Sequence, residues 1–356
     1  MHVLHVVGAR PNFMKAAPVL AALDACGVRQ TLVHTGQHYD RPMSEVFFEE
    51  LGIPEPDLNL EVGSGSHTQQ TAAILSRFEP VVLERKPDLT VVYGDVNSTV
   101  AAALVCAKLQ APLAHVEAGL RSFDRTMPEE INRIVTDRLA DLLFTPSEDG
   151  DENLRAEGIE ESKIHCVGNV MIDTLVRLSG RAEAAFAPLE RRFGLTRYGL
   201  ITLHRPSNVD DPRTLCGILE TLVEVSRELP LLFPIHPRTR KQMQLPKEAH
   251  GLQFCDSLSY LEFLSLQKRA ILVITDSGGI QEETTFLGVP CLTLRENTER
   301  PVTVTCGSNV LIGRDLNRLR TEVRNILEGR TKRSGIPPLW DGHAAERIAR
   351  VVVNGQ

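Results

Sequence analysis

Short runs of consecutive apolar residues alternate along the chain with longer stretches in which apolar positions recur every three or four residues. The short runs cover 2–7, 30–35, 89–93, 113–117 and 142–145, then 200–203, 231–235, 271–275 and 289–294. Several are apolar throughout, as expected of strands buried on both faces of a parallel sheet. The helical patterns between them predict helices at 15–25, 98–109, 129–140, 215–229 and 279–287. A last amphipathic segment, 342–353, carries Ala345, Ile348, Val351 and Val352 on one side. The punctuation agrees. Pro128 suits a first helical position with Glu129 and Glu130 in the first turn, and Asp211 precedes Pro212 as a cap would. Ile131, Ile134, Val135 and Leu139 then recur at helical spacing. Gly158, Gly194, Gly288 and Gly329 fall where helices need a left-handed stop.

One series of strand–helix units ends near Val167-Gly168-Asn169, and a second begins there. The pattern predicts an α/β protein of two Rossmann-like parallel-sheet domains, 1–167 and 168–341, with a cleft between them. Ligands are expected at the C-terminal ends of the strands.

Composition narrows the function. The chain of 356 residues has 39 basic and 46 acidic side chains and a net charge of −7, which leaves no general basic face for duplex nucleic acid. No apolar run approaches the roughly 18–20 residues of a membrane span. The first seven residues lack the basic region of a leader and read as a first strand. Seven cysteines are scattered without a CxxC pair, so neither zinc spacing nor a redox motif is present, and a reducing cytoplasm is expected. No metal is expected, because no His/Asp cluster has ligand spacing.

The residues that follow the predicted strands carry the chemistry. The first strand leads into Gly8-Ala9-Arg10-Pro11-Asn12-Phe13-Met14-Lys15, a glycine turn opening a helix with two cations, suited to an anion. It is neither a GxGxxG fingerprint nor a Walker loop, so no cofactor is expected. Asp95 and Glu117 follow two further strands, Glu129 opens the next helix, and Arg121 and Arg133 accompany them. Carboxylates crowded near cations can have their proton affinities driven apart, as acid and base roles require. Without function, the same acids would cap helices or pair with arginine. In the second half one strand ends in His204-Arg205, suited to phosphate oxygens. Another runs into Asp276-Ser277-Gly278-Gly279, where two glycines opening a helix let backbone N–H groups approach an anion. Acids between Arg295 and Pro301 suit ribose hydroxyls. Together these features predict a diphosphate-bearing ligand held by the second domain, its other end reaching the acids of the first. A nucleotide sugar fits.

These motifs, in this order, resemble the non-hydrolysing UDP-N-acetylglucosamine 2-epimerases nearly end to end. The resemblance rests on Gly8-Ala9-Arg10-Pro11-Asn12, Thr35-Gly36-Gln37-His38, Tyr93-Gly94-Asp95, His115-Val116-Glu117-Ala118-Gly119-Leu120-Arg121 and Pro128-Glu129-Glu130. It continues through Thr202-Leu203-His204-Arg205, Asp276-Ser277-Gly278-Gly279-Ile280-Gln281-Glu282-Glu283 and Thr298-Glu299-Arg300-Pro301. It implies a GT-B arrangement in which the C-terminal helix, 342–356, packs back on the first domain. It implies an isomerase that interconverts UDP-GlcNAc and UDP-ManNAc without a cofactor, eliminating UDP to 2-acetamidoglucal and adding it back. It also implies a cytoplasmic homodimer that feeds cell-surface polysaccharide synthesis.

By motif, Asp95, Glu117 and Glu129 match the family's catalytic acids, and His204 its functional histidine beside the diphosphate. Arg10, Lys15 and Arg133 match positions lining the pocket. Ser277, Gly278 and Gly279 match the diphosphate-binding turn, and Glu299 the ribose contact. Similar enzymes epimerise UDP-2,3-diacetamido uronic acids at C2, and a hydrolysing branch releases ManNAc and UDP. An inverting glycosyltransferase would share the nucleotide-sugar domain but has no need of a three-acid rim.

One stretch departs from the family. Many bacterial members are activated by UDP-GlcNAc at a second site, where Gln-His is followed by Arg and then Glu or Gln, and a later pair reads Arg-Gln. Here Gln37-His38 is followed by Tyr39-Asp40, and the later pair is Gln69-Gln70. Gln37, His38, Gln69 and Gln70 are therefore read as a vestigial effector site, with activation by substrate weak or absent. The family's Glu-Arg-Pro-Glu also becomes Glu299-Arg300-Pro301-Val302.

Overall fold

The computed structural model describes residues 1–37, 48–235 and 251–355. The chain forms two compact units, residues 1–177 with 338–356, and residues 178–337. The division falls inside a helix, C-terminal to Val167-Gly168-Asn169.

The first unit holds seven strands, β1 (His2–Val7), β2 (Arg29–His34), β3 (Leu58–Asn59), β4 (Leu89–Tyr93), β5 (Leu113–Val116), β6 (Leu142–Thr145) and β7 (Ile164–Cys166). They lie in the order β3-β2-β1-β4-β5-β6-β7, and every pairing is parallel. Its helices are α1 (Arg10–Ala25), α2 (His67–Arg85), α3 (Asn97–Leu109), α4 (Pro128–Leu139), α5 (Glu148–Ala156) and the start of α6 (Val170–Phe193). Strands β1 and β4 are buried at every position, which is why their sequences are nearly continuous apolar runs. Leu4, Val6 and Val92 from the sheet pack with Ile74 and Phe78 of α2 and with Ala102 and Val105 of α3. Each large side chain fully buried in this way contributes about 1.5–3 kcal/mol. Within these central strands His5 Nδ1 lies 2.7 Å from the Tyr93 hydroxyl.

The second unit holds β8 (Gly199–Thr202), β9 (Leu231–Ile235), β10 (Leu252–Asp256), β11 (Leu272–Thr275), β12 (Cys291–Thr293) and β13 (Asn309–Leu311), in the order β10-β9-β8-β11-β12-β13, again parallel throughout. Around them run α7 (Pro206–Val209), α8 (Pro212–Ser226), α9 (Tyr260–Gln267), α10 (Gly278–Leu287), α11 (Pro301–Thr305) and α12 (Leu316–Leu327). Asp211 caps α8 by accepting from Thr214 N at 3.1 Å, as Asp-Pro predicts. The last helix, α13 (Ala344–Asn354), belongs to the first unit. The Asp173 carboxylate accepts from Ala344 N (3.1 Å) and Ala345 N (2.7 Å), and the helix buries Ala345, Ile348 and Val352. The fold is thus the GT-B-like α/β class expected, with two Rossmann-like parallel sheets. Among the described residues no helix is long and apolar enough to cross a membrane.

Each sheet reverses its strand order once, between β1 and β4 and between β8 and β11. At such a point neighbouring loops leave for opposite faces and open a crevice beyond the strand ends. The segments after β1, β4, β8 and β11 are those that the sequence analysis singles out.

Helix α4 departs from its apparent pattern. Its apolar stripe leaves Ile131 43% exposed, while Glu130, Arg133, Thr136 and Asp137 are buried. The polar face turns inward because the loop after β5 offers it donors. Glu130 accepts from Ser122 N, Ser122 Oγ and Phe123 N, each at 2.9 Å.

Candidate active site

In the first unit, the turn after β1 is set by Asn12. Its Oδ1 accepts from Gly8 N (3.0 Å) and Ala9 N (3.2 Å), and its Nδ2 donates to Tyr93 O at 2.7 Å, tying the ends of β1 and β4 together. Arg10 is exposed at the start of α1, while Lys15, one turn on, is buried and ion-paired to the Glu117 carboxylate. Gly94 is what allows this. At φ +60°, a Cβ there would lie 2.6 Å from Lys15 Nζ and 3.0 Å from Glu117 Oε2. The backbone leading into Asp95 therefore sits directly against the pair. Asp95 itself accepts from Arg133 Nε at 3.0 Å, and Arg133, fully buried, also holds Glu130. Glu117 adopts φ +72°, a left-handed conformation costly for any residue but glycine.

The three sequence-predicted acids therefore differ in kind. Glu117 faces a buried ammonium and Asp95 a buried guanidinium. Glu129, half-buried in the first turn of α4, has no hydrogen bond or ion pair among the described residues. The contacts bring Lys15, Asp95, Glu117 and Arg133 into one neighbourhood. Glu129 joins it only through α4, four residues before Arg133.

In the second unit, a residue without an assigned role in the sequence analysis organises the strand ends. Asp276, fully buried after β11, accepts from His204 N (3.1 Å), Arg205 N (2.9 Å) and Asn208 Nδ2 (3.0 Å). His204 Nδ1 lies 3.3 Å from the same carboxylate, although the ring is half exposed. A carboxylate beside Nδ1 favours the proton there and leaves Nε2 facing outward as the working nitrogen. The turn that follows has no room for a side chain. A Cβ on Gly278 would lie 2.5 Å from Arg300 Nη1 and 2.9 Å from Glu299 Oε1. Glu299 is buried with Arg295 (2.6 Å), Arg300 and Arg205 (3.7 Å) on its carboxylate. A ribose hydroxyl would have to share those oxygens. Half-buried Ser277 caps α10, and Gly279 lies in its first turn.

A family model described as UDP-N-acetylglucosamine 2-epimerase matches residues 21–353. The Methanocaldococcus jannaschii UDP-N-acetylglucosamine 2-epimerase is 42% identical, over 99% of this chain and 98% of its own. The chain belongs to the UDP-N-acetylglucosamine 2-epimerase family. The expectation of an enzyme of the isomerase class is thereby met. A second relative, the Pseudomonas aeruginosa UDP-2,3-diacetamido-2,3-dideoxy-D-glucuronate 2-epimerase, is 44% identical over 98% of each chain. The crystal structure of the M. jannaschii UDP-GlcNAc 2-epimerase in complex with UDP-GlcNAc and UDP matches with a TM-score of 0.92 and 43% identity over 100% of both chains.

Of the glutamines at this stretch only Gln69 departs from the family pattern, and all three described ones have local contacts. Gln69 forms a capping box with Ser66 at the start of α2, Ser66 N donating to Gln69 Oε1 at 3.2 Å. Gln70 is buried, donating to Gln37 O (3.2 Å) and Gly63 O (3.1 Å) and accepting from Asn97 Nδ2 (2.9 Å). Gln37 accepts from Ser98 Oγ at 2.8 Å. His38 lies outside the described residues. A cavity of about 380 Å³ in the second unit, lined by Phe193, Tyr198, Pro230 and Leu252, opens at the N-terminal ends of β8, β9 and β10, away from these groups. Sequence reading missed Asp276 as an organiser, and also Arg205, Arg295 and Arg300 around Glu299. Only Asp276 had a local signal, its place at a strand end before two glycines.

Proposed function

We propose that the protein interconverts UDP-GlcNAc and UDP-ManNAc. A carboxylate takes the proton from C2 as the C1–O bond breaks, the electron pair forms the C1–C2 double bond, and UDP leaves. Return of a proton to the other face of C2 and re-addition of UDP at C1 complete the inversion. The C2 hydrogen is weakly acidic, so its removal needs a base within hydrogen-bond reach. Charge grows on the departing diphosphate, where fixed donors act most strongly. His204, Arg10 and the N–H groups of the Ser277-Gly278-Gly279 turn supply such donors. In this reading Glu117 is ion-paired with Lys15 and Asp95 with Arg133, while Glu129, which makes no hydrogen bond or ion pair among the described residues, is the acid assigned to carry a proton. The observation that carries this reading is the convergence of Lys15, Asp95, Glu117 and Arg133 at neighbouring strand ends. Glu299 serves chiefly to hold Arg205, Arg295 and Arg300, with any ribose contact shared.

Proton NMR of the purified protein with UDP-GlcNAc tests this directly. Conversion to a mixture with UDP-ManNAc is expected, and free UDP with free ManNAc would mark the hydrolysing branch instead. The 44% identity to the diacetamido-glucuronate epimerase supports a second reading in which that sugar is the substrate. Inertness toward UDP-GlcNAc with turnover of the uronate would favour it. The protein acts as a cytoplasmic homodimer in this proposal, and its seven unpaired cysteines suit a reducing compartment. Activation by substrate is weak or absent in this proposal, because Gln69 stands where the activated members carry arginine and is tied into the capping box with Ser66. A lag from UDP-ManNAc that a trace of UDP-GlcNAc abolishes would refute that.

A further inference from the structure

We infer that His115 and Asp137 are positioning residues for Glu117 and for the Asp95 turn, acting as a buried hydrogen-bonded pair that ties the ends of β4 and β5 to α4. The inference rests on the roles proposed above for the two acids. His115 and Asp137 are both fully buried. His115 Nε2 lies 2.7 Å from Gly94 O, a carbonyl that can only accept, so Nε2 carries a proton. Nδ1 lies 2.6 Å from Asp137 Oδ1. The other Asp137 oxygen accepts from Arg121 Nη1 (2.7 Å) and Gly119 N (3.1 Å). Burial would raise the Asp137 carboxyl, yet the charges and hydrogen bonds of His115 and Arg121 hold it below its ordinary value. Asp137 thus takes contacts from His115, Arg121 and Gly119 at once. Arg121 is in turn bound by Glu157 through Nε and Nη2, each at 2.7 Å. The guanidinium lies between two carboxylates, and such partners are what make a buried charge tolerable.

What hangs on this cluster is the reacting rim. Gly94 O belongs to the peptide preceding Asp95, and Gly119 N lies two residues beyond Glu117. Glu117 is left-handed and Gly119 stands at φ +80° with Gly150 O only 2.4 Å from where a Cβ would be. Strained backbone of this kind persists only where its surroundings over-determine it. The Asp137 carboxylate grips the loop at Gly119, and the His115 ring grips Gly94.

The test is a double-mutant cycle with UDP-GlcNAc, combining Asp137→Asn and Glu117→Gln. Asp137→Asn is expected to lower kcat by about a hundredfold with KM little changed, the loss expected of a displacement near 1 Å. The double variant should lose clearly less than the product of the two single losses, because part of the Asp137→Asn loss acts through Glu117 and the rest through the Asp95 turn. A purely structural role would lower the melting temperature but leave kcat per folded molecule unchanged, and that overturns the inference. So does multiplication of the two losses. Wild-type activity in Glu117→Gln overturns the role of Glu117 and the inference with it. An inactive Glu117→Gln beside a fully active Asp137→Asn overturns the inference alone. Should Asp137→Asn not fold, the ¹⁵N spectrum of His115 in the wild-type protein decides. A proton held on Nε2, donated to Gly94 O, is expected, and an unprotonated Nε2 overturns the inference.

Discussion

Replacing Gly94 by alanine isolates the contact on which the first-unit site depends. The new Cβ would lie 2.6 Å from Lys15 Nζ and 3.0 Å from Glu117 Oε2, well inside ordinary van der Waals distance. Lys15 is buried, and the Glu117 backbone is pinned by its N–H to Phe144 O at 3.0 Å, so neither partner can yield cheaply. Separating them by something near 1 Å would cost on the order of a hundredfold in rate. The left-handed φ of +60° adds about 1–2 kcal/mol of strain for alanine. Gly27 provides the matched control. It has φ +69°, is exposed, and a Cβ there meets nothing within 4 Å. Gly27→Ala thus carries the same backbone cost with no contact. Gly94→Ala should lose more stability than Gly27→Ala in urea unfolding, and only Gly94→Ala should lose turnover of UDP-GlcNAc. If the two variants are equally active, the placement of the Lys15–Glu117 pair against Gly94 is irrelevant to catalysis and the reasoning fails.

Asp95→Asn, Glu117→Gln and Glu129→Gln should each reduce turnover by roughly a hundredfold or more while calorimetry still detects UDP binding, and a variant at wild-type rate removes its residue from the chemistry. Asp276→Asn sets an amide N–H₂ against the donors of His204, Arg205 and Asn208. Leaving one such donor unmet costs about 1–3 kcal/mol, so UDP affinity should fall about tenfold or more by calorimetry, and unchanged affinity would argue that Asp276 does not shape the diphosphate turn. Burial and the nearby Glu282 charge push the Glu283 carboxyl up to about 7 from 4.5, partly opposed by the Tyr260 hydroxyl at 3.0 Å. Between those values the native state keeps a proton that the unfolded chain has lost, so stability falls as pH rises through the window, by about 3 kcal/mol. Glu283→Gln should abolish that slope in urea unfolding at pH 5 and pH 8, and an unchanged slope would show that another group is responsible.

The sequence patterns betrayed the interior of both sheets better than their borders. All nine predicted strands correspond to observed ones, β1, β4, β6 and β9 at the residues expected. The four unpredicted strands, β3, β7, β10 and β13, are the edge strands of the two sheets. Edge strands here are short and partly exposed, so they carry no continuous apolar run. The candidate site was legible where chemistry sits beside a strand end, as at Asp95, Glu117 and His204. It was illegible where a role arises from contacts distant in sequence. Asp137 looks like one more surface charge on an amphipathic helix, and only the fold brings it to His115, 22 positions away. Asp276 likewise gains its role from His204, 72 positions earlier. The inward polar face of α4 was hidden for the same reason, because its apolar stripe gave the stronger periodic signal.

The most direct single measurement is proton NMR of the wild-type protein with UDP-GlcNAc in D₂O. Loss of the C2 proton signal, as deuterium enters both UDP-GlcNAc and newly formed UDP-ManNAc, is the expected result if carboxylates exchange hydrogen at that carbon. Formation of UDP-ManNAc that retains its original C2 hydrogen would contradict it.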